Sequence, residues 1–252
     1  MIECKNISVC YEKNRPVIKN VSLTVSDGRI CVLLGHNGCG KTTLIKAITG
    51  ELRVDGDVII DNIPLNKLKR TELAQKLSVL SQILPIPSGV SVRETVAFGR
   101  TPYTGYFGRL SSEDNAMIDR AIDAMGIPHL DGKNITEISG GERQKVFLAM
   151  LIAKDSQNII LDEPTSNLDS KNKRELFDFI RSMKNERRAI LAVLHDVNDA
   201  LSVADDICVM SEGKTVFFGN TDEFIKSGIP EKEFGLKPII ADDSGEKRIF
   251  FT

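Results

Sequence analysis

The string Gly35-His-Asn-Gly-Cys-Gly-Lys-Thr42 constrains this chain more than any other feature. It has the spacing G-x-x-x-x-G-K-[ST], and it stands where that spacing has a mechanism. Before it, Arg29-Ile-Cys-Val-Leu-Leu34 is a continuous apolar run, the pattern of a strand buried on both faces. After it, Thr42 to about Thr49 reads as a helix, stopped by Gly50. The glycines let backbone N–H groups converge on an anion without Cβ clashes. The helix N-terminus adds a dipole that favours negative charge. The reading is a phosphate cradle formed by Gly35, His36, Asn37, Gly38, Cys39 and Gly40. Lys41 would reach the β- and γ-phosphates, the Thr42 hydroxyl would bind Mg²⁺, and Thr43 would reach the α-phosphate.

Such a cradle needs a carboxylate at the end of a second buried strand to hold the metal. Asn158-Ile-Ile-Leu-Asp162 supplies it. Glu163 follows at once, and a carboxylate there suits activation of a water against the γ-phosphate. A base-reading Asn-Lys-x-Asp for guanine is not found. The nearest string, Asn172-Lys-Arg-Glu175, lies in an expected helix and lacks the Asp.

The rest of the chain supports a parallel sheet. Val17, Val21, Leu23 and Val25 lean toward period two, with turn residues at Asn14-Arg-Pro16 and Asp27-Gly28. Strands are expected at Val58–Ile60, Leu77–Leu80, Asn158–Leu161, Ala189–Leu194, Ile207–Met210 and Thr215–Phe218. Helices are expected at Lys171–Lys184 and Val197–Ala204. Strands alternating with helices imply a parallel sheet covered on both faces. Residues of about 86–155 interrupt it with helical texture. Within them Ser111 opens a helix whose apolar stripe is Met117, Ile118, Ala121, Ile122 and Met125, ending at Gly126. The expected fold is α/β: a P-loop NTPase (RecA-like) core sheet, an N-terminal antiparallel β part and an inserted helical sub-domain. The tail reads as a hairpin around Asp243-Ser-Gly245.

Composition narrows the function classes. With 33 Lys+Arg against 35 Asp+Glu in 252 residues, the net charge is −2. That balance argues against a dedicated nucleic-acid binder, which usually carries a basic surplus. The longest apolar run, Val146 to Ala153, falls far short of the roughly 18 residues of a membrane span. No basic-then-apolar signal peptide opens the chain. Five cysteines, Cys4, Cys10, Cys31, Cys39 and Cys208, show no C-x-x-C pair. An odd count without a secretory signal implies free thiols in a reducing compartment. Cys39, near Lys41 at a helix N-terminus, is either an oxidation-sensitive thiol or a small space-filler.

Two further strings carry a resemblance. Ile138-Ser-Gly-Gly-Glu-Arg-Gln144 precedes the Asp162 strand, and Ser166-Asn-Leu-Asp169 follows it. With the cradle, they resemble the ATP-binding-cassette (ABC) ATPases over nearly the whole chain. The resemblance implies a role for each matching residue. Tyr11 would stack on adenine, which needs only a π-face. Gln82 would contact Mg²⁺ and the attacking water, and would begin the segment that touches a transmembrane partner. Ser139, Gly140 and Gly141 would bind the γ-phosphate held by the opposite subunit. His195 would hydrogen-bond the γ-phosphate, and Asp169 would couple the two sites across the dimer. Ile138 stands where Leu is usual, a volume-conserving swap.

Ser91-Val-Arg-Glu-Thr-Val-Ala-Phe-Gly-Arg-Thr-Pro102, the following Phe107 to Asp114 and the tail hairpin resemble the subfamily serving iron–siderophore, haem and cobalamin importers. The resemblance implies an ATP-hydrolysing subunit, closed as a dimer by ATP and reopened by hydrolysis. Its expected partners are an identical or paired ATPase subunit with two ATP at the interface, transmembrane permease subunits and, indirectly, a substrate-binding protein. No nucleic-acid partner is expected. The expected location is peripheral, at the cytoplasmic face of the cell membrane. The expected division is an ATPase domain over 2–238 and a tail over 239–252. Two other readings stand beside this one. A soluble ABC ATPase acting on ribosomes or DNA usually needs tandem cassettes, a long coiled coil or a basic extension, none of which is found. An exporter subunit is disfavoured by residues 91–114.

Overall fold

The computed structural model describes residues 1–12, 15–81, 89–105, 108–166, 168–243 and 246–252. The chain opens with two long antiparallel strands, β1 (Ile2–Glu12) and β2 (Arg15–Val25). Then come β3 (Ile30–Leu34), α1 (Lys41–Ile48), β4 (Asp55–Ile60), β5 (Ile63–Pro64), α2 (Arg70–Lys76) and β6 (Leu77–Leu80). The inserted helices are α3 (Val92–Ala97), α4 (Ser112–Ala124) and α5 (Gly140–Lys154). The α/β alternation resumes with β7 (Asn158–Asp162), α6 (Ser170–Asn185), β8 (Ala189–Val193), α7 (Val197–Val203), β9 (Asp206–Ser211) and β10 (Lys214–Asn220). Two short helices, α8 (Thr221–Lys226) and α9 (Ile229–Phe234), lead to a terminal pair, β11 (Pro238–Asp243) and β12 (Glu246–Phe251).

The central sheet has the order β10-β9-β3-β8-β7-β6. Its strands are parallel except β10, which closes one edge antiparallel to β9. Every residue of β3 is buried, as its continuous apolar run demands. Its two faces serve two cores. Cys31 and Leu33 pack with α1 and the antiparallel sheet, whereas Ile30, Val32 and Leu34 pack toward α6 and α7. The antiparallel sheet has the order β2-β1-β4-β5 and lies over the first core.

The period-two reading of β2 needs one correction. Val21, Leu23 and Val25 point inward as expected, but Ile18 is the next buried residue and Val17 is not. The phase slips because the β1–β2 register shifts between Ile7↔Val21 and Val9↔Ile18. Asn20 sits at φ 53° within that slip, and Asn6 sits at φ 51° in the neighbouring shift between Cys4↔Leu23 and Ile7↔Val21. Each Asn N–H is caught by a serine hydroxyl of the other strand, Ser22 at 2.9 Å and Ser8 at 3.0 Å. Asparagine tolerates the left-handed conformation that such bulges require. Arg15 and Pro16, read as turn, lie in β2; that strand is a sheet edge, where a missing proline N–H is tolerated.

The insert has its own apolar core, built on Val92, Val96, Ile118, Ile122, Val146 and Ala149. Ser111 caps α4 in a reciprocal box with Asp114, as its spacing predicts. Asp114 also accepts from the Arg100 Nε at 2.7 Å, and the Arg100 Nη1 donates to the Ala153 carbonyl at 2.9 Å. This buried pair ties α4 to the end of α5. The Lys154 Nζ then donates to the Leu77 carbonyl at 2.9 Å, joining the insert to β6, and burial lowers its pKa to about 8. The start of the insert near residue 86, Gln82 and Phe107 lie outside the described residues, as do the turn positions 244 and 245 of the tail. The flanking tail strands pair from Pro238↔Phe251 to Asp243↔Glu246. Among the described residues no helix is long and apolar enough to cross a membrane.

Candidate active site

Ligands of open parallel sheets collect at the carboxyl ends of the strands. Here the ends of β3, β7 and β8 present the candidate residues together. After β3, the backbone reverses through Gly35, Gly38 and Gly40, at φ 152°, 80° and 110°. A Cβ on Gly35 would lie 2.4 Å from the Met210 carbonyl oxygen, so only glycine fits. Lys41 opens α1 and is 7% exposed. Its ammonium donates to the loop's own carbonyls, Gly35 at 2.7 Å and His36 at 3.1 Å. The loop therefore encloses a positive charge with further donors in its rim.

His36, Asn37, Gly38 and Thr42 are exposed, whereas Gly35, Cys39, Gly40 and Thr43 are buried. Cys39 is 6% exposed inside the first core, a packed thiol rather than an accessible one. This corrects the oxidation-sensitive alternative and leaves the space-filling one. Tyr11 is 56% exposed, and its hydroxyl lies 3.4 Å from the Thr43 Oγ1. That contact sets an open aromatic face beside the start of α1.

Asp162 ends β7, and Glu163 follows in a left-handed conformation at φ 52°. This is costly for a non-glycine residue and is kept where a side chain must be aimed. The Glu163 N–H donates to the Val193 carbonyl at 3.2 Å, which locks the turn against β8. Its carboxylate then meets the His195 Nε2 at 2.7 Å. Neither the strain nor this direct pairing is legible from spacing. Burial pushes the Asp162 pKa up first and the neighbouring Glu163 charge pushes it further; Lys41 and His195 pull it back.

A carboxyl group with a raised native pKa binds its proton more tightly folded than unfolded. Between the unfolded and folded values, stability therefore falls as pH rises. At pH 7 without ligand, Asp162 costs stability. Asp162→Asn is expected to unfold at a higher temperature than the parent at pH 7, with the gap closing as pH falls toward 4. The same variant should lose Mg²⁺-dependent nucleotide binding. Thermal scans across pH, paired with calorimetric titration, check both halves.

A third group lies at the start of α5. Ser139 caps the helix; its hydroxyl donates to the Glu142 Oε2 at 2.6 Å and accepts from the Glu142 N–H at 3.3 Å. Gly140 and Gly141 begin the helix, where N–H groups have no intrahelical partner. A Cβ on Gly141 would stand 3.3 Å from the Asn172 amide. Asp169 caps α6 by accepting from the Asn172 N–H at 2.8 Å. The Gln144 Nε2 donates to the Pro164 carbonyl at 2.7 Å, linking α5 to the turn that carries Glu163. Among the described residues no hydrogen bond or ion pair joins the Ser139 turn to the loop around Lys41.

The profile of the ABC transporter family matches residues 18–166. The chain belongs to that family. The petrobactin import ATP-binding protein YclP of Bacillus subtilis (strain 168) is 32% identical over 255 residues, covering all of both chains. The ferric enterobactin transport ATP-binding protein FepC of Escherichia coli (strain K12) is 33% identical over 90% of this chain and 84% of its own. In fold, the cassette matches the dimeric structure of MJ0796, a bacterial ABC transporter cassette, with a TM-score of 0.75. That match covers 87% of this chain and 98% of the other at 24% identity. The core of this cassette is thus the P-loop NTPase fold that its cradle and strand pattern predict.

The cassette's residues fit a magnesium ion. Mg²⁺ prefers hard oxygen donors, keeps several waters and is held by one or two carboxylates plus substrate phosphates. The Thr42 hydroxyl and the Asp162 carboxylate are such donors. Burial and the adjacent Glu163 charge raise the Asp162 pKa, and a cation bound there would oppose both effects. Among the described residues there is no cluster of three or more His, Cys, Asp or Glu for an all-protein metal cage.

Proposed function

We propose that this cassette hydrolyses ATP to energise an importer of ferric siderophore, haem or cobalamin. The observation that carries the reading is the meeting of Lys41, Asp162, Glu163 and His195 at the ends of adjacent strands. Glu163 is the general base: its carboxylate, aimed by the φ 52° turn, takes a proton from the attacking water. His195, at 2.7 Å, orients that carboxylate and offers its ring toward the γ-phosphate. Lys41 leaves its two carbonyl partners for the β- and γ-phosphates. Thr43 serves the α-phosphate and Tyr11 the adenine ring. Thr42, Asp162 and Gln82 hold Mg²⁺, which supplies charge neutralisation of the phosphates when bound.

One chain is half of the machine. Ser139, Gly140 and Gly141, which make no described hydrogen bond or ion pair to the cassette's own Lys41 loop, serve the γ-phosphate of a second cassette, with Asp169 at the seam. ATP thus closes a dimer and hydrolysis reopens it, a two-state element biased by the γ-phosphate. Residues 2–238, with the insert at about 86–155, form the ATPase unit, and 239–252 form a hairpin tail. The work is done peripherally at the cytoplasmic face of the membrane, through permease subunits and indirectly a substrate-binding protein. The names of YclP and FepC support iron-chelate import over export or a ribosomal role.

Reconstitution with the cognate permease in vesicles tests this reading. Ferric chelates, haem and cobalamin are offered in turn with their binding protein. ATP-dependent uptake of one of them is the expected result. Co-purification with ribosomes, with no membrane association, would sink it.

A further inference from the structure

The C-terminal part of the chain reaches back to the phosphate loop. The His36 Nε2 lies 2.5 Å from the Glu233 carbonyl oxygen, at the end of α9. The imidazole also packs on Phe234, with ring centroids 5.5 Å apart. His36 is the loop residue whose own carbonyl accepts from the Lys41 ammonium. Its side chain thus anchors outward to α9 while its backbone holds the lysine inward. Phe234 packs against the second core, so the anchor is not a loose end.

The anchor continues further. Gly235 closes α9 at φ 68°, and β11 and β12 follow directly. The Phe251 N–H of β12 donates to the Asn198 Oδ1 at 2.8 Å, and the Asn198 Nδ2 donates to the Phe251 carbonyl at 3.0 Å. Asn198 lies in the first turn of α7, the helix that follows His195. The chain from α9 to β12 therefore touches the phosphate loop at one end and the helix behind His195 at the other.

We infer that α9 braces the phosphate loop through His36, and that His36 and Phe234 are positioning residues for nucleotide binding. The brace holds residue 36 so that the loop keeps its width when Lys41 swings from the His36 carbonyl to a phosphate. Neither side chain needs to touch nucleotide. The inference rests on the reading of residues 35–42 as the phosphate loop.

The test is calorimetric titration of Mg-ADP into the full chain. His36→Ala and Phe234→Ala are each expected to weaken binding about fivefold, the size set by one lost hydrogen bond and its ordering. The double variant should be no weaker than either single one, because both break the same strut. His36→Gln should recover part of the affinity, since its amide nitrogen can reach the Glu233 carbonyl although it lacks the ring that packs on Phe234. In steady-state ATP hydrolysis, Phe234→Ala should raise KM with kcat held within about twofold, the signature of lost uniform binding. Phe234→Leu, which keeps the apolar packing and removes the ring, replaces Phe234→Ala if the latter does not fold. Unchanged affinity in the Phe234 variant, additive effects, or a His36→Gln variant as weak as His36→Ala would each overturn the inference. Lys41→Ala separates the two readings. If it binds Mg-ADP normally, the phosphate loop is misassigned; if it alone binds weakly, only the brace fails.

Discussion

Glu163→Gln is expected to bind ATP at the parental affinity and to lose turnover by roughly 10²- to 10⁴-fold, the range supplied by a positioned general base. Glutamine keeps the shape of the side chain and its reach to His195 but cannot accept a proton. Asp162, the adjacent carboxylate, holds the metal in the proposed site, and its backbone ends a strand rather than turning out of it. With binding intact and hydrolysis blocked, the γ-phosphate persists and the dimer stays closed. Phosphate release measures the first effect; size-exclusion chromatography with ATP measures the second. Hydrolysis at the parental rate would remove Glu163 as the base. A variant that is slow but remains monomeric in ATP would leave the base in place and count against the closed dimer.

Lys41→Ala acts on a different step. Lys41 is 7% exposed and its ammonium is already bound to two carbonyls, so nucleotide binding exchanges those partners for phosphate oxygens. Charge-assisted hydrogen bonds contribute about 1.5–3 kcal/mol each. Removing the lysine should therefore weaken Mg-ATP binding by about 10- to 100-fold, the equilibrium equivalent of one such bond. Calorimetry on the isolated chain reads this directly. The two variants should divide cleanly, one losing affinity and the other losing rate. ATP affinity unchanged in Lys41→Ala would count against the cradle itself.

What the sequence discloses and what it hides follow physical lines. The β3 run, the glycine loop and the start of α1 are legible because each is dictated locally: continuous burial, positive φ, a helix stopped by Gly50. The α4 cap is legible because Ser111 and Asp114 satisfy each other three residues apart. The slip in β2 is hidden because it comes from one extra residue near Asn20, offset in register by a second bulge near Asn6 on β1, and neither asparagine announces a bulge alone. Helices α2, α8 and α9, of seven, six and six residues, span barely two turns and are not expected from the sequence, although α7, equally short, is. Within the site, residue types were readable from motif and order. The contacts between them were not. Glu163 meeting His195, Gln144 reaching Pro164 and His36 resting on α9 all join segments far apart in the chain.

The insert's separate apolar core has a consequence for how the molecule comes apart. None of its buried members belongs to either core flanking the sheet. It is tied to the sheet side through α5, which buries Leu148 and Leu151 in the second core, and by two hydrogen bonds, from Lys154 to the Leu77 carbonyl and from Gln75 to the Pro102 carbonyl. A group of helices with its own interior is a cooperative unit that can open by itself. Amides of α3 and α4 can therefore exchange with solvent on their own clock, while α5, which also buries Leu148 and Leu151 in the second core, stays protected with β3, β7 and β8 until the whole chain unfolds. Sequence drift inside the insert can alter how readily it loosens without weakening the strands that aim Lys41 and Glu163.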